Sequence, residues 1–110
     1  MDHESQTGTT PDWPEFLCTL EPVRPGMPSD PTPEEGEAVA AHFAYYESLL
    51  ASGTLILAGR TLNEPCRGLF VFRASDQSAA EAIIANDPAV IRGVMRTSLQ
   101  PFLTALIESR

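Results

Sequence analysis

Residues 32–59, TPEEGEAVAAHFAYYESLLASGTLILAG, decide the fold: one capped helix that runs directly into one buried strand. Thr32 is placed to cap an orphan N–H, Pro33 suits the first helical position, and Glu35 is placed to reach back and complete a capping box. Apolar residues then recur at Val39, Phe43, Tyr46 and Leu50, the spacing of one helical face. Gly53 is the expected stop, because glycine takes the left-handed conformation just past a helix end. Residues 54–58 form a short apolar run closed by Gly59. His42 lies one turn from Val39, Tyr46 and Leu49, roughly 60° off the centre of the apolar stripe. An imidazole at that edge is shielded from bulk water and still reaches a cavity.

Working outward from this stretch, residues 16–23 form the first strand, with Phe16, Cys18 and Leu20 alternating against Leu17, Thr19 and Glu21. Pro22 and Pro25 close it, and residues 24–30, with Gly26 and Pro28, form the loop that delivers the chain to Thr32. On the other side, residues 60–67 are a loop containing Asn63 and Pro65, and residues 68–73 are a third strand, apolar on both faces. A second helix follows, capped by Ser75 or Ser78, with Ser78 to Glu81 as another capping-box match. Ala79, Ala82 and Ile83 are expected to face the sheet, and Asn86-Asp87-Pro88 ends the helix. Residues 89–93 make one short turn. Residues 94–100 form strand four, and residues 101–107 close as a short helix or a packed tail. Residues 1–14, polar with Pro11 and Pro14, are expected to be a flexible extension, with Trp13 pinning its end and His3 solvated. Residues 15–110 then make one domain.

The order β-α-β-β-α-β predicts an α+β, ferredoxin-like fold: a four-stranded antiparallel sheet with both helices on one face. A sheet covered on one side is usually polar on the other. Strands two and three are apolar on both sides, so something must cover the second face. A second copy packed sheet to sheet, a symmetric homodimer, is the economical cover; the alternative is the N-terminal extension with Trp13.

Composition excludes some function classes. The chain has 110 residues, 43% of them hydrophobic, and a formal net charge of -8. Excess acid argues against a nucleic-acid partner and against an anionic membrane surface. No apolar run approaches a membrane span, and the N-terminus has no apolar signal core, so the expected location is cytoplasmic. Cys18 and Cys66 have no metal-ligand neighbours at useful spacing and are expected to be free thiols. No GxGxxG, P-loop, nucleophile elbow or zinc pattern occurs, so no cofactor and no metal are expected.

The helical histidine with the small-Gly-apolar strand after it (His42 to Gly59), then Asn86-Asp87-Pro88-Ala89-Val90 after a helix, and a strand running into Pro101-Phe102, together resemble the YCII-related family. These are small dimeric α/β-barrel proteins related in fold to muconolactone isomerases. The resemblance covers roughly residues 16–106. It implies an active site built on a His–Asp pair, which falls on His42 and Asp87. Few members have assigned reactions; one is a dehydrochlorinase acting on a chlorinated hydroquinone. The stretch before Thr32 is longer and richer in proline than the family pattern.

A His–Asp pair suits general acid–base chemistry. Imidazole takes and returns a proton near neutral pH, and a carboxylate on one ring nitrogen fixes the tautomer. The plain alternative for His42 is a half-buried ring satisfied by a backbone carbonyl. For Asp87 it is a cap on the turn that follows, a role compatible with pairing because a carboxylate has two oxygens. Tyr45, Arg60 and Ser98 are the candidate substrate contacts: Tyr45 on the His42 side of the helix, Arg60 at a strand end, and Ser98 facing away from Met95 and Leu99. The functions to be separated are a cofactor-independent lyase or isomerase acting on a small cyclic or aromatic compound, a non-catalytic ligand-binding module, and a structural dimer with no pocket.

Overall fold

The computed structural model describes residues 13–108; the extension expected at 1–14, with His3, lies almost wholly outside them. The elements are β1 (Glu15–Pro22), α1 (Pro33–Ala51), β2 (Leu55–Arg60), β3 (Gly68–Arg73), α2 (Gln77–Ala85), α3 (Pro88–Ile91) and β4 (Met95–Phe102). The four strands form one antiparallel sheet in the order β2-β3-β1-β4. This is the ferredoxin-like α+β arrangement, with α3 as an extra single turn. Among the described residues no helix is long and apolar enough to cross a membrane.

The core lies between the sheet and the helices. Phe16, Cys18 and Leu20 of β1 point inward, as do Phe70 and Phe72 of β3, and α1 and α2 add Tyr46, Ala80 and Ile84. Phe72 and Cys18 are wholly inaccessible to solvent. Both cysteines are free.

The start of α1 is built as its residues dictate. The Glu35 N–H donates to Thr32 Oγ1 at 3.1 Å, and the Thr32 N–H donates to Glu35 Oε1 at 2.9 Å. Glu35 has a second duty. Arg24 grips it as a fork, Nε to Oε2 at 2.9 Å and Nη2 to Oε1 at 2.6 Å, and Nη2 also donates to the Asp30 carbonyl. The loop between β1 and α1 is thereby tied to the first turn of the helix, and its Met27 is buried. At the other end Gly53 takes φ +83°, the left-handed turn that only glycine adopts freely.

Four local expectations need correction. The stripe of α1 does not point squarely into the core: Ala38 and Tyr46 are buried, but Phe43 and Leu50 are 65% and 57% exposed. The helix is rolled toward α3, its main packing partner, so that edge of the stripe faces a cleft instead. Helix α2 is capped by Asp76, whose Oδ1 accepts from the Ala79 N–H at 2.8 Å, and not by Ser75 or Ser78. Ala82 consequently faces solvent, and Ala80 and Ile84 take the inward positions. Strand β4 continues through Pro101 to Phe102, a place open to proline because β4 is an edge strand. Residues 103–108 form no helix, and Leu103, Leu106 and Ile107 stand 81%, 95% and 65% exposed.

The sheet face turned away from the helices carries Leu57, Leu69 and Phe102, all exposed. Of the N-terminal extension, the other candidate cover, residues 1–12 lie outside the described residues, and Trp13 is 47% exposed. Strand β2 reaches this pattern through a bulge: Leu55 pairs with Phe72 and Leu57 with Val71, so Ile56 is an extra residue.

Candidate active site

His42 sits midway along α1, and Asp87 sits 45 residues later at the start of α3. Asp87 is the N-cap of that turn: its Oδ1 accepts from the Ala89 N–H at 2.9 Å, and Pro88 occupies the first helical position. Gly93, with φ +75°, lets the chain leave α3 for β4. Packing of α3 on α1 brings the two side chains together. His42 Nδ1 donates to Asp87 Oδ2 at 2.8 Å and lies 2.9 Å from Oδ1. An ionised carboxylate only accepts, so this contact assigns the ring proton to Nδ1. The Asp87 side chain is fully buried and the His42 side chain is 12% exposed. Among the described residues Nε2 has no hydrogen-bond partner, and the ring borders a cleft.

Aromatic rings fix the imidazole from two sides. Tyr46 and Phe70 stack face to face, with centroids 3.9 Å apart and planes at 9°. His42 meets both edge-on, at 5.0 Å and 5.6 Å. The ring therefore has little freedom to turn away from Asp87.

Burial, and after it the Asp87 charge, sets the electrostatics of the surrounding groups. Burial pushes the Cys18 thiol up to about 12, and the Asp87 charge adds to the effect. Burial, with Asp87 again contributing, also raises Tyr45 and Tyr46 above the ordinary phenol range. The Tyr46 hydroxyl lies close enough to Asp87 to feel its charge, yet it is buried and makes no hydrogen bond of ordinary geometry. Tyr46 therefore serves as a wall of the site.

The cleft has a volume of about 840 Å³. Leu20, Leu55 and Phe70 of the sheet line one side, and Val39, Phe43, Tyr46 and Leu50 of α1 the other. Met27, Pro28 and Pro31, from the loop that Arg24 and Glu35 pin down, also line it. Phe43 and Leu50 are thus exposed to the cleft. Its charged groups are few: Glu21, Glu47 and Arg60.

The structure places the three candidate contact residues apart. Arg60 lines the cleft, exposed, with Nη1 3.8 Å from Cys66 Sγ. Tyr45 does not line it: its hydroxyl donates to the Ile83 carbonyl at 2.6 Å and ties α1 to α2. Ser98 pairs across from Thr19 on the opposite face of the sheet, in a hollow of about 80 Å³. Sequence reasoning missed Phe70, Met27 and Gly36 as lining residues. The alternation of Phe70 and Phe72 marked an inward face, but nothing local showed that Phe70 meets a histidine from another element. Among the described residues no cluster of three or more potential metal ligands occurs.

The YCII-related domain model matches residues 16–102. The chain belongs to the YCII-related family. A search of curated proteins finds no match to this YCII-related chain. Among solved structures it resembles 5-chloro-2-hydroxyhydroquinone dehydrochlorinase from Burkholderia phenoliruptrix AC1100, in complex with 2,5-dihydroxybenzoquinone. That match has a TM-score of 0.64 and 22% identity, over 81% of this chain and 93% of that one. A cofactor-independent oxygenase from Streptomyces nogalater matches with a TM-score of 0.47 and 10% identity, over 84% and 93% of the two chains. A dimeric ferredoxin-like protein from an uncultured marine organism matches with a TM-score of 0.42 and 16% identity, over 87% and 94%. At 22% identity the likeness to the dehydrochlorinase is one of fold.

Proposed function

We propose that this YCII-related protein is a cofactor-independent enzyme of the lyase or isomerase kind, acting on a small cyclic or aromatic metabolite, with His42 as general base and Asp87 as its partner. The observation that carries this reading is the 2.8 Å contact between His42 Nδ1 and a fully buried carboxylate, with the other ring nitrogen left free at a cleft. With Nδ1–H held by Asp87, Nε2 keeps its lone pair and takes a proton from a substrate C–H or O–H. The Asp87 carboxylate stabilises the imidazolium that forms. In an elimination, the electron pair left on carbon forms a double bond as the leaving group departs with its own pair. In an isomerisation, the imidazolium returns the proton at a different carbon. Apolar walls and the stacked pair leave the His42 side chain 12% exposed, with its access to solvent through the cleft. The neighbour that acts on a chlorinated hydroquinone supports a quinol-like substrate class.

We further propose that the protein works as a homodimer through the exposed apolar sheet face, where Leu57, Leu69 and Phe102 are left uncovered by the described residues.

The test is a thermal-shift screen of quinols, enols and lactones on wild type and His42→Ala, followed by turnover of each stabilising compound. Stabilisation confined to wild type, with turnover abolished in His42→Ala, is the expected result. A substrate turned over equally by both proteins refutes the mechanism.

A further inference from the structure

The cleft is larger than one ring requires. It borders α1 from Gly36 to Leu50, about 21 Å of helix at the usual rise per residue. Its volume of about 840 Å³ is near the upper end for sites that enclose drug-sized molecules. His42 stands near the middle of that length, so a ring placed at Nε2 leaves the stretch toward the start of α1, about 9 Å away, unfilled.

That stretch has a distinct character. Met27, Pro28, Pro31, Gly36 and Val39 line it, and none is charged. Of the cleft's charged groups, Glu47 lies later in α1; Glu21 and Arg60 lie at the strand ends nearest this stretch, Glu21 already paired with Arg67 and Arg96, and Arg60 exposed beside Cys66. Gly36 is the telling residue. Glycine is a poor helix former, and this one has no positive φ to excuse it. A Cβ built there meets nothing within 4 Å, so no close approach requires it either. What the missing side chain does is leave room in the cleft. Opposite it, the Arg24–Glu35 fork holds the 24–31 loop, and with it Met27, against the first turn of the helix.

We infer that the site takes a ring bearing an apolar substituent, which lies along α1 over Gly36 between Val39 and the wall formed by residues 27–31. This rests on the reading that the reacting ring sits at His42. Gly36 is then a specificity-determining position, and the substrate is an alkyl- or aryl-substituted ring and not a bare one.

The experiment uses methyl-, butyl- and hexylhydroquinone as probes, with calorimetric titration into wild type, Gly36→Leu, Gly36→Ala and His42→Ala. In wild type the affinity rises about threefold to fourfold for each CH2 the substituent adds, as burial of apolar carbon dictates. Gly36→Leu binds methylhydroquinone within twofold of wild type but hexylhydroquinone at least tenfold more weakly, and Gly36→Ala falls between. Both variants keep or raise the thermal midpoint, since each replaces a helical glycine. The same dependence on chain length in wild type and Gly36→Leu overturns the proposal, as does a flat series or an absence of hexylhydroquinone binding in wild type. His42→Ala separates this outcome from the mechanism. If it binds all three probes as wild type does while Gly36→Leu truncates the series, the apolar arm stands and the placement of the ring at His42 falls.

Discussion

Replacing Asp87 by asparagine changes one atom and reverses a proton. The side chain keeps an oxygen to cap the Ala89 N–H, but it now presents an NH2 to His42 Nδ1. An NH2 only donates, so Nδ1 must accept, and the ring proton moves to Nε2, the nitrogen that faces the cleft. The proposed base is then blocked, at an expected cost of about 10²- to 10⁴-fold in kcat/KM, the usual worth of a positioned general base. The stability cost has a different source. Asp87 is fully buried, and its charge-assisted bond to the imidazole is replaced by a neutral one, a loss of about 2 kcal/mol. For a domain of this size that lowers a urea midpoint by about 1 M. Asp87→Ala loses the cap as well and strands the Ala89 N–H, for a total of about 4 kcal/mol. The decisive measurement needs no substrate: ¹⁵N-resolved NMR of the His42 ring reports which nitrogen carries the proton. Wild type is expected to show it on Nδ1 and Asp87→Asn on Nε2. The same tautomer in both proteins, or a stability loss below about 0.5 kcal/mol, refutes the account of Asp87 given above.

Three further outcomes follow from other parts of the fold. The fork from Arg24 and the capping bonds at Thr32 hold the Glu35 carboxyl at about 2, below its ordinary 4.5. A carboxyl depressed by folding contributes stability above its unfolded value and loses it as the pH falls. Urea midpoints of wild type should therefore decline between pH 4.5 and 2 in a way that Glu35→Gln does not reproduce. Cys18 is buried, with its thiol pushed up to about 12, whereas Cys66 is partly exposed; a thiol reagent at pH 8 should label one cysteine per native chain, and peptide mapping should place it at Cys66. Leu69→Glu on the uncovered sheet face should shift sedimentation from dimer to monomer while leaving the far-ultraviolet dichroism intact, and an unchanged sedimentation coefficient would count against the homodimer.

Elements and their order were legible in the sequence because each carries its own punctuation. Thr32, Pro33 and Glu35 open α1, Gly53 closes it, and Asp87-Pro88 starts α3. The pairing of His42 with Asp87 could be placed from a family resemblance but not from spacing, since 45 residues separate them. What stayed hidden depends on how elements roll against each other. Helix α1 carries small residues at Ala38, Ala40, Ala41 and Ala44, so periodicity alone does not say which edge of its apolar stripe meets the core. Ser75, Asp76 and Ser78 are all competent caps, and only the position of the sheet selects Asp76. Glu35 announced its capping role and concealed its grip on Arg24, because a completed capping box already explains the residue. Tyr45 looked available to a ligand because its hydroxyl's true partner, the Ile83 carbonyl, belongs to a helix whose placement no local pattern states.

The bulge in β2 shapes the cleft. Because Ile56 is the extra residue, Ala58 falls beside Phe70 and Arg60 beside Gly68, both on the helix side of the sheet. Were Ile56 threaded into regular pairing instead, the alternation would bring Leu57 and Gly59 to that side, put a branched side chain into the cleft and turn Arg60 away from it. Deleting Ile56 has the opposite effect: Leu57, Ala58, Gly59 and Arg60 keep their present partners and faces, and an Ile56 deletion variant should fold with Arg60 still at the cleft. The cleft thus depends on the strand carrying its surplus residue outside the ladder.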